Sequence, residues 1–186
     1  MAVHDLFLVD EDNQTTGNVS LNDILSGDGG NTWSLVTNTI NGTILFSPNG
    51  TFDYTPNPDF CGMDTVYYDV TDGSLTTTGK LTITVTNVNV APVAVNDAIT
   101  TAENAVFNSV TSLIDNDSDI DGDALNVTAG TFSTAQGGSL VLDSSGFYTY
   151  TPKTNFNGED TVNYTVTDGT LSAIGKLTIT VTNVNT

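Results

Sequence analysis

Positive charge is nearly missing from this sequence. Lys and Arg number 3 among 186 residues, against 22 Asp and Glu, and the net charge is −19. Phosphate contacts rest on Lys and Arg, so nucleic-acid binding is excluded, and an anionic membrane surface with it. A single cysteine, Cys61, leaves no internal disulfide framework. A single histidine, His4, leaves no second imidazole for a zinc site, and a Ser/His/Asp site would have to use it. We read His4 as a surface or linker residue. Apolar runs never approach the ~18 residues that a membrane helix needs, so no direct membrane insertion is expected. The start, MAVHDLFLVDED, lacks the basic n-region of a signal peptide. Helical periodicity is absent as well.

What is present is a repeat. The stretch GTFDYTPNPDFCGMDTVYYDVTDGSLTTTGKLTITVTNVN (50–89) returns as GFYTYTPKTNFNGEDTVNYTVTDGTLSAIGKLTITVTNVN (146–185). Pro56 pairs with Pro152, an offset of 152 − 56 = 96, kept without a gap and with roughly two-thirds identity. Each copy is all-β. In KLTITVT (80–86), Leu81, Ile83 and Val85 face one way and the threonines the other, the period of a half-buried strand. Val66, Tyr68 and Val70, and in the second copy Val162, Tyr164 and Val166, repeat the pattern. Turn signals such as Pro48-Asn49-Gly50, Asp72-Gly73 and Asp168-Gly169 recur every eight to twelve residues. The expected architecture is two tandem β-sandwiches of about seven strands each, over residues 1–90 and 91–186. At 38% apolar composition, β-branched and aromatic, each can bury a modest core rather than stay disordered.

One acidic run stands out. LIDNDSDIDGDAL (113–125) places Asp117, Asp119, Asp121 and Asp123 at alternate positions, with Gly122 among them. Carboxylates that close repel one another, so a cation is expected. Calcium is a hard cation that takes six to eight oxygens, and alternating Asp with a Gly turn suits wrapping a chain around it. An EF-hand is excluded: the twelfth residue from Asp117 is Thr128 rather than Glu, and the flanks are β-like. The loop alone offers too few ligands, so the remainder must come from elsewhere.

The combination of AVND, TAEN, DNDSDIDGDAL, the YTP…F.G.DTV.Y.VTDG block and VTNVN…APV resembles the bacterial cadherin-like repeats of large secreted adhesins, including those exported with RTX-type signals. The resemblance spans nearly the whole chain. It implies Ig-like Greek-key sandwiches stacked head to tail, with Ca²⁺ shared at the junctions. On that pattern the domain 1 ligands are Glu11 and Asp12, with Asn87 and Asn89 of the linker. Domain 2 brings Asp97, the acidic-loop residues Asp117, Asp119, Asp121 and Asp123, and Asp168, which resembles the late-strand Asp of cadherin junctions. Glu103, Asn183 and Asn185 mirror Glu11, Asn87 and Asn89 at the far end. The sequence departs from the pattern twice. Val90 stands where the linker usually has Asp, and the first copy has ILSGDGG (24–30) in place of the acidic run, leaving Asp23 and Asp28.

The implied function is a calcium-stiffened structural repeat of an extracellular bacterial adhesin or surface filament. Its partners would be neighbouring repeats, and it would have no catalytic role. The alternative is a module that recognises a surface glycan or protein through the domain 1 loops. Trp33 is read as core rather than sugar platform, and Asp64 and Asp160 as turn-capping residues rather than ligands. Cys61, which replaces Asn157, is read as incidental.

Overall fold

The first domain is built from β1 (Asp5–Asp10), β2 (Thr15–Asn18), a 3₁₀ turn (Val19–Leu21), β3 (Thr32–Leu35), β4 (Gly42–Phe46), β5 (Thr51–Pro56), β6 (Gly62–Thr71) and β7 (Thr76–Thr86). The second comprises β8 (Asp97–Ala102), β9 (Phe107–Asn108), β10 (Asn126–Val127), β11 (Gly130–Ser133), β12 (Ser139–Leu142), β13 (Tyr148–Thr151), β14 (Gly158–Thr167) and β15 (Ser172–Thr182). The structure is a computed structural model that describes residues 1–25 and 29–184. Asp28 and Asn185 lie outside the described residues. The chain divides into two compact units, Met1–Val88 and Asn89–Thr186.

Each unit is a sandwich of two sheets. Domain 1 pairs β1-β7-β6-β3 with β2-β5-β4, and domain 2 pairs β10-β14-β15-β8 with β11-β12-β13-β9. The long hairpins carry the repeat. β6–β7 runs in register from Gly62 opposite Val85 to Thr71 opposite Thr76. β14–β15 repeats that register from Gly158 opposite Val181 to Thr167 opposite Ser172. Alternation along these strands sends Val66, Tyr68, Leu81, Ile83 and Val85 into one core, and Val162, Tyr164, Leu177, Ile179 and Val181 into the other. The threonines between them face outward. Truncating any of these core leucines or isoleucines to alanine would cost about 2–5 kcal/mol.

The first strand of each domain lies parallel to the last, Asp5 opposite Leu81 in β1–β7 and Asp97 opposite Leu177 in β8–β15. A glycine opposite a tyrosine then places an acid. Gly79 lies across from Tyr68 and Gly175 across from Tyr164, and a Cβ on either glycine would come within 2.4 Å of Tyr68 Cζ or 2.2 Å of Tyr164 Cζ. The rings pack close against the glycines and their hydroxyls reach the first strands. Tyr68 Oη is 2.6 Å from Asp5 Oδ2 and Tyr164 Oη is 2.6 Å from Asp97 Oδ2. Burial pushes the carboxyl of Asp5 above its usual range, the Tyr68 hydrogen bond pulls it back, and the charge of Asp23 pushes it further up.

Asp64 and Asp160 are the buried acids of the long hairpins. Asp160 accepts from Tyr150 Oη at 2.8 Å, the amides of Gln136 at 2.8 Å and Thr161 at 2.9 Å, and the Thr134 hydroxyl. Asp64 accepts from Tyr54 Oη at 3.1 Å and the amides of Asn41 at 3.0 Å, Thr65 at 3.0 Å and Ile40 at 3.3 Å. Both carboxylates thus tie an incoming turn to a strand, and their oxygens are spent on protein donors.

Candidate metal centre

The acidic loop of domain 2 crosses from Leu113, which is buried, to β10. It is shaped by its own side chains. Asp119 Oδ1 accepts the amide of Asp121 at 2.9 Å, and Gly122 turns the chain with a φ of 76°. That positive φ is why a glycine interrupts the run of acids. The turn gathers one oxygen each of Asp119, Asp121 and Asp123 to within 4.8 Å of one another. Asp119 and Asp121 are half-buried, and Asp123 is exposed.

The segment before β8 is stitched to this loop. Val90 donates its amide to Asp121 Oδ2 at 2.7 Å, and Val95 donates to Asp117 Oδ1 at 2.7 Å. Between them Val93 and Ser118 exchange backbone bonds, from Val93 N to Ser118 O at 2.8 Å and from Ser118 N to Val93 O at 3.2 Å. Asn89 Nδ2 donates to Asp168 Oδ2 at 2.9 Å, so consecutive residues, Asn89 and Val90, bind Asp168 and the acidic loop. Asp168 is a turn acid: its Oδ1 accepts the amides of Thr170 at 2.6 Å and Leu171 at 2.7 Å. The Leu171 bond, then the Asn89 bond, holds its carboxyl below the usual range.

Two oxygens in the loop are shielded from solvent and accept nothing: Asp119 Oδ2 and Asp117 Oδ2. A shielded carboxylate oxygen without a donor is costly, and most such oxygens in proteins are paired. Asp119 Oδ2 belongs to the three-acid cluster. Asp117 accepts from Val95, and burial raises its carboxyl above the usual range, with the nearby charge of Asp97 adding to the rise. Asp97 accepts from Tyr164 and from Asn116 Nδ2 at 3.3 Å. Burial pushes its carboxyl up too, against those two hydrogen bonds. Among the described residues, only Asp119, Asp121 and Asp123 form a cluster able to hold a metal ion.

The cluster fits a hard divalent cation. Its donors are all oxygen, its charge is high, and one shielded oxygen has no other partner. Asp119, Asp121 and Asp123 would hold the ion, with backbone carbonyls and water completing the shell. A bound ion would cancel the repulsion among the three acids.

The remaining expected residues have other attachments. Glu11 is buried in domain 1, where its Oε1 accepts the amide of Val88 at 2.7 Å. Glu103 repeats this on Val184 at 3.0 Å. Asp12 adopts a φ of 58°, and its Oδ1 accepts the amide of Asp59 at 3.1 Å. Asn87 is exposed. The sequence reading missed the amides of Val90 and Val95 because a backbone donor leaves no mark on residue type. It missed Asn116 although that residue stands inside the acidic run.

Trp33 is core, packed beside Val70. Its indole has a polar task as well: Nε1 donates to Asp23 Oδ2 at 2.7 Å. Asp23 is the domain 1 counterpart of Asp117, since its Oδ1 accepts the amide of Val3 at 2.7 Å, as Asp117 accepts that of Val95. Trp33 pairs with Val70, and its place in domain 2 is taken by Val127, paired with Val166. Valine donates nothing, and Asp117 Oδ2 stays unpaired.

Solved structures resembling this fold include human protocadherin-24 EC1-2, at 15% identity and a TM-score of 0.62 over 97% of this chain and 94% of that one. Drosophila N-cadherin EC1-4 matches 96% of this chain and 49% of its own at 13% identity, with a TM-score of 0.54. An endo-fucoidan hydrolase from glycoside hydrolase family 107 is matched at 17% identity over 99% of this chain. The chain spans only 28% of that enzyme's length, and a TM-score of 0.39 carries no argument. No curated protein sequence matches. Among the described residues, no helix is long and apolar enough to cross a membrane. Residues 1–85 match the bacterial Ig domain, residues 89–183 match the bacterial cadherin-like domain, and through the latter the chain belongs to the bacterial cadherin-like family.

Proposed function

We propose that this chain is a calcium-stiffened structural repeat of an extracellular bacterial adhesin or surface filament, with no catalysis of its own. One observation carries the reading. Three aspartates converge within 4.8 Å, and one of them keeps a solvent-shielded oxygen without a donor. In this reading Ca²⁺ sits on Asp119, Asp121 and Asp123. Val90 and Asn89, bonded to Asp121 and Asp168, carry its effect into the segment that precedes β8. Glu11, Asp12 and Asn87 are proposed to add ligands from the domain 1 side. An ion held by both sets would stiffen the linkage between repeats, and its loss would loosen it. Neighbouring repeats are then the partners, in a secreted protein of the adhesin type.

The glycan-binding alternative has lost its aromatic platform, because Trp33 is buried and its indole N–H is taken by Asp23. The test is calorimetry and small-angle scattering of the whole chain in Ca²⁺ and in EGTA. Calcium should raise the melting temperature and narrow the distribution of chain dimensions. Identical melting and scattering in both buffers would overturn the proposal.

A further inference from the structure

The outer face of the β1-β7-β6 sheet in domain 1 is apolar where its duplicate is polar. Leu6 is 80% exposed, Leu8 73%, Met63 72% and Tyr67 44%. At the same register positions domain 2 carries Ala98 opposite Thr178, Thr100 and Glu159 opposite Thr180, and Asn163 opposite Lys176. The two domains share the fold, so the fold does not demand these apolar side chains. The rows Leu6–Thr82–Thr65 and Leu8–Thr84–Met63 contain no carboxylate. Beyond one end lies Lys80, the only Lys or Arg of domain 1, beside Tyr67. Beyond the other lies Asp10, which accepts from the Thr86 hydroxyl at 2.6 Å.

We propose that two copies of this chain associate through this face. The face is self-complementary. A two-fold axis running across the strands, between the Leu6 and Leu8 rows, sets Leu6 of one copy over Leu8 of the other and Thr82 over Thr84. The same rotation brings Lys80 opposite Thr86 and Asp10 of the second copy, and each contact occurs twice. Two sheets facing this way pack about 10 Å apart. Charge selects the occupant. Chains of net charge −19 repel over most of their surface, whereas here apolar rows are closed at both ends by a Lys80–Asp10 pair. A basic partner would be steered to the acidic loop rather than to this face, where Lys80 stands at one end and the carboxylates near it, Asp10 and Asp69, already accept from Thr86 and Thr78. Roughly a dozen residues a side put the contact at the low end of interface sizes, so the dimer is weak. The association does not depend on the calcium reading and is measured without the metal.

Sedimentation velocity of the whole chain in EDTA, from about 10 µM to about 1 mM, tests it; that range brackets a weak dimer. A monomer–dimer equilibrium is expected. The Leu6→Ala/Leu8→Thr variant, which copies domain 2, should weaken dimerisation at least tenfold. Met63→Glu, copying Glu159, should do the same. Lys80→Glu should weaken it as well, and adding Asp10→Lys to Lys80→Glu should restore it. Unchanged Trp33 emission would show that each variant is folded. The proposal is overturned by a chain that stays monomeric throughout, by a dimer indifferent to the leucine substitutions, or by a charge swap that does not restore.

Discussion

The two domains differ most where they are built most alike. In both, an amide two residues before β1 or β8 binds one oxygen of an aspartate, Val3 to Asp23 and Val95 to Asp117. In domain 1 the second oxygen receives the Trp33 indole at 2.7 Å, and in domain 2 it receives nothing. An indole N–H is a donor that needs no ion and no particular pH. Domain 1 therefore completes this pole from its own covalent structure. Domain 2 leaves this oxygen open and follows it with a carboxylate-rich loop that gathers Asp119, Asp121 and Asp123. Tryptophan in place of valine at the position of Val127 closes the second oxygen of this aspartate in domain 1, and the acidic run of domain 2 has no counterpart in the first copy.

The largest effect should come where the domains agree. Asp160→Ala strands two amides and two hydroxyls in the domain 2 core, and should cost about 3–5 kcal/mol in denaturant unfolding. Asp64→Ala should cost less, because the Asp64 bonds are longer, 3.0–3.3 Å against 2.8–2.9 Å for those of Asp160 to Tyr150, Gln136 and Thr161. Equal costs would break the ranking.

Next in size is the response to calcium. At about 100 times its dissociation constant, an ion that binds only the folded state adds about 2.7 kcal/mol. Because Trp33 is the only tryptophan and lies in domain 1, its emission follows that domain alone, while calorimetry sees both. Calcium should shift the calorimetric transition of domain 2 by more than the tryptophan transition, because the three carboxylates that hold the ion lie in domain 2 and domain 1 would add only the outer ligands. A larger shift in the tryptophan signal would invert the comparison.

Trp33→Phe keeps an aromatic ring and deletes the donor. It should cost domain 1 about 1–3 kcal/mol, from an unpaired Asp23 oxygen together with the loss of ring volume. Val127→Ala, at the equivalent place, should leave the calcium response of domain 2 unchanged.

The smallest effect is a pH dependence. Burial raises the carboxyl of Asp5, so its contribution favours the fold below the unfolded value of 3.8 and is lost as pH rises through the folded value. Asp5→Asn removes that titration and leaves an acceptor for Tyr68. Relative to the parent, the variant should be more stable at pH 7 than at pH 4.5, by under about 1 kcal/mol, read from urea midpoints. The opposite sign would mean that the ionised form is the favoured one.

Much of this was legible in the residues. The 96-residue offset and the alternation of Leu81, Ile83 and Val85 gave both hairpins, because period-two burial is written directly into side-chain type. Asp119, Asp121 and Asp123 stood out because only side-chain acids could form that cluster. The parallel pairing of β1 with β7 did not show, since either direction buries the same alternate residues. Val90 looked like a lost ligand because the resemblance supplied an aspartate there. Its contribution is an amide to Asp121, which any residue but proline could donate. The Trp33–Asp23 bond was hidden for a different reason: an indole reads as apolar bulk, and its single polar atom declares a partner only in three dimensions.

The central claim is that the acidic loop of domain 2 holds a calcium ion. The most direct measurement is anomalous diffraction from crystals grown in CaCl₂. The account predicts a peak with oxygens of Asp119, Asp121 and Asp123 at about 2.3–2.6 Å from the ion, and no peak at Asp23 beside Trp33. Well-ordered loop density with no ion among those three carboxylates would contradict it.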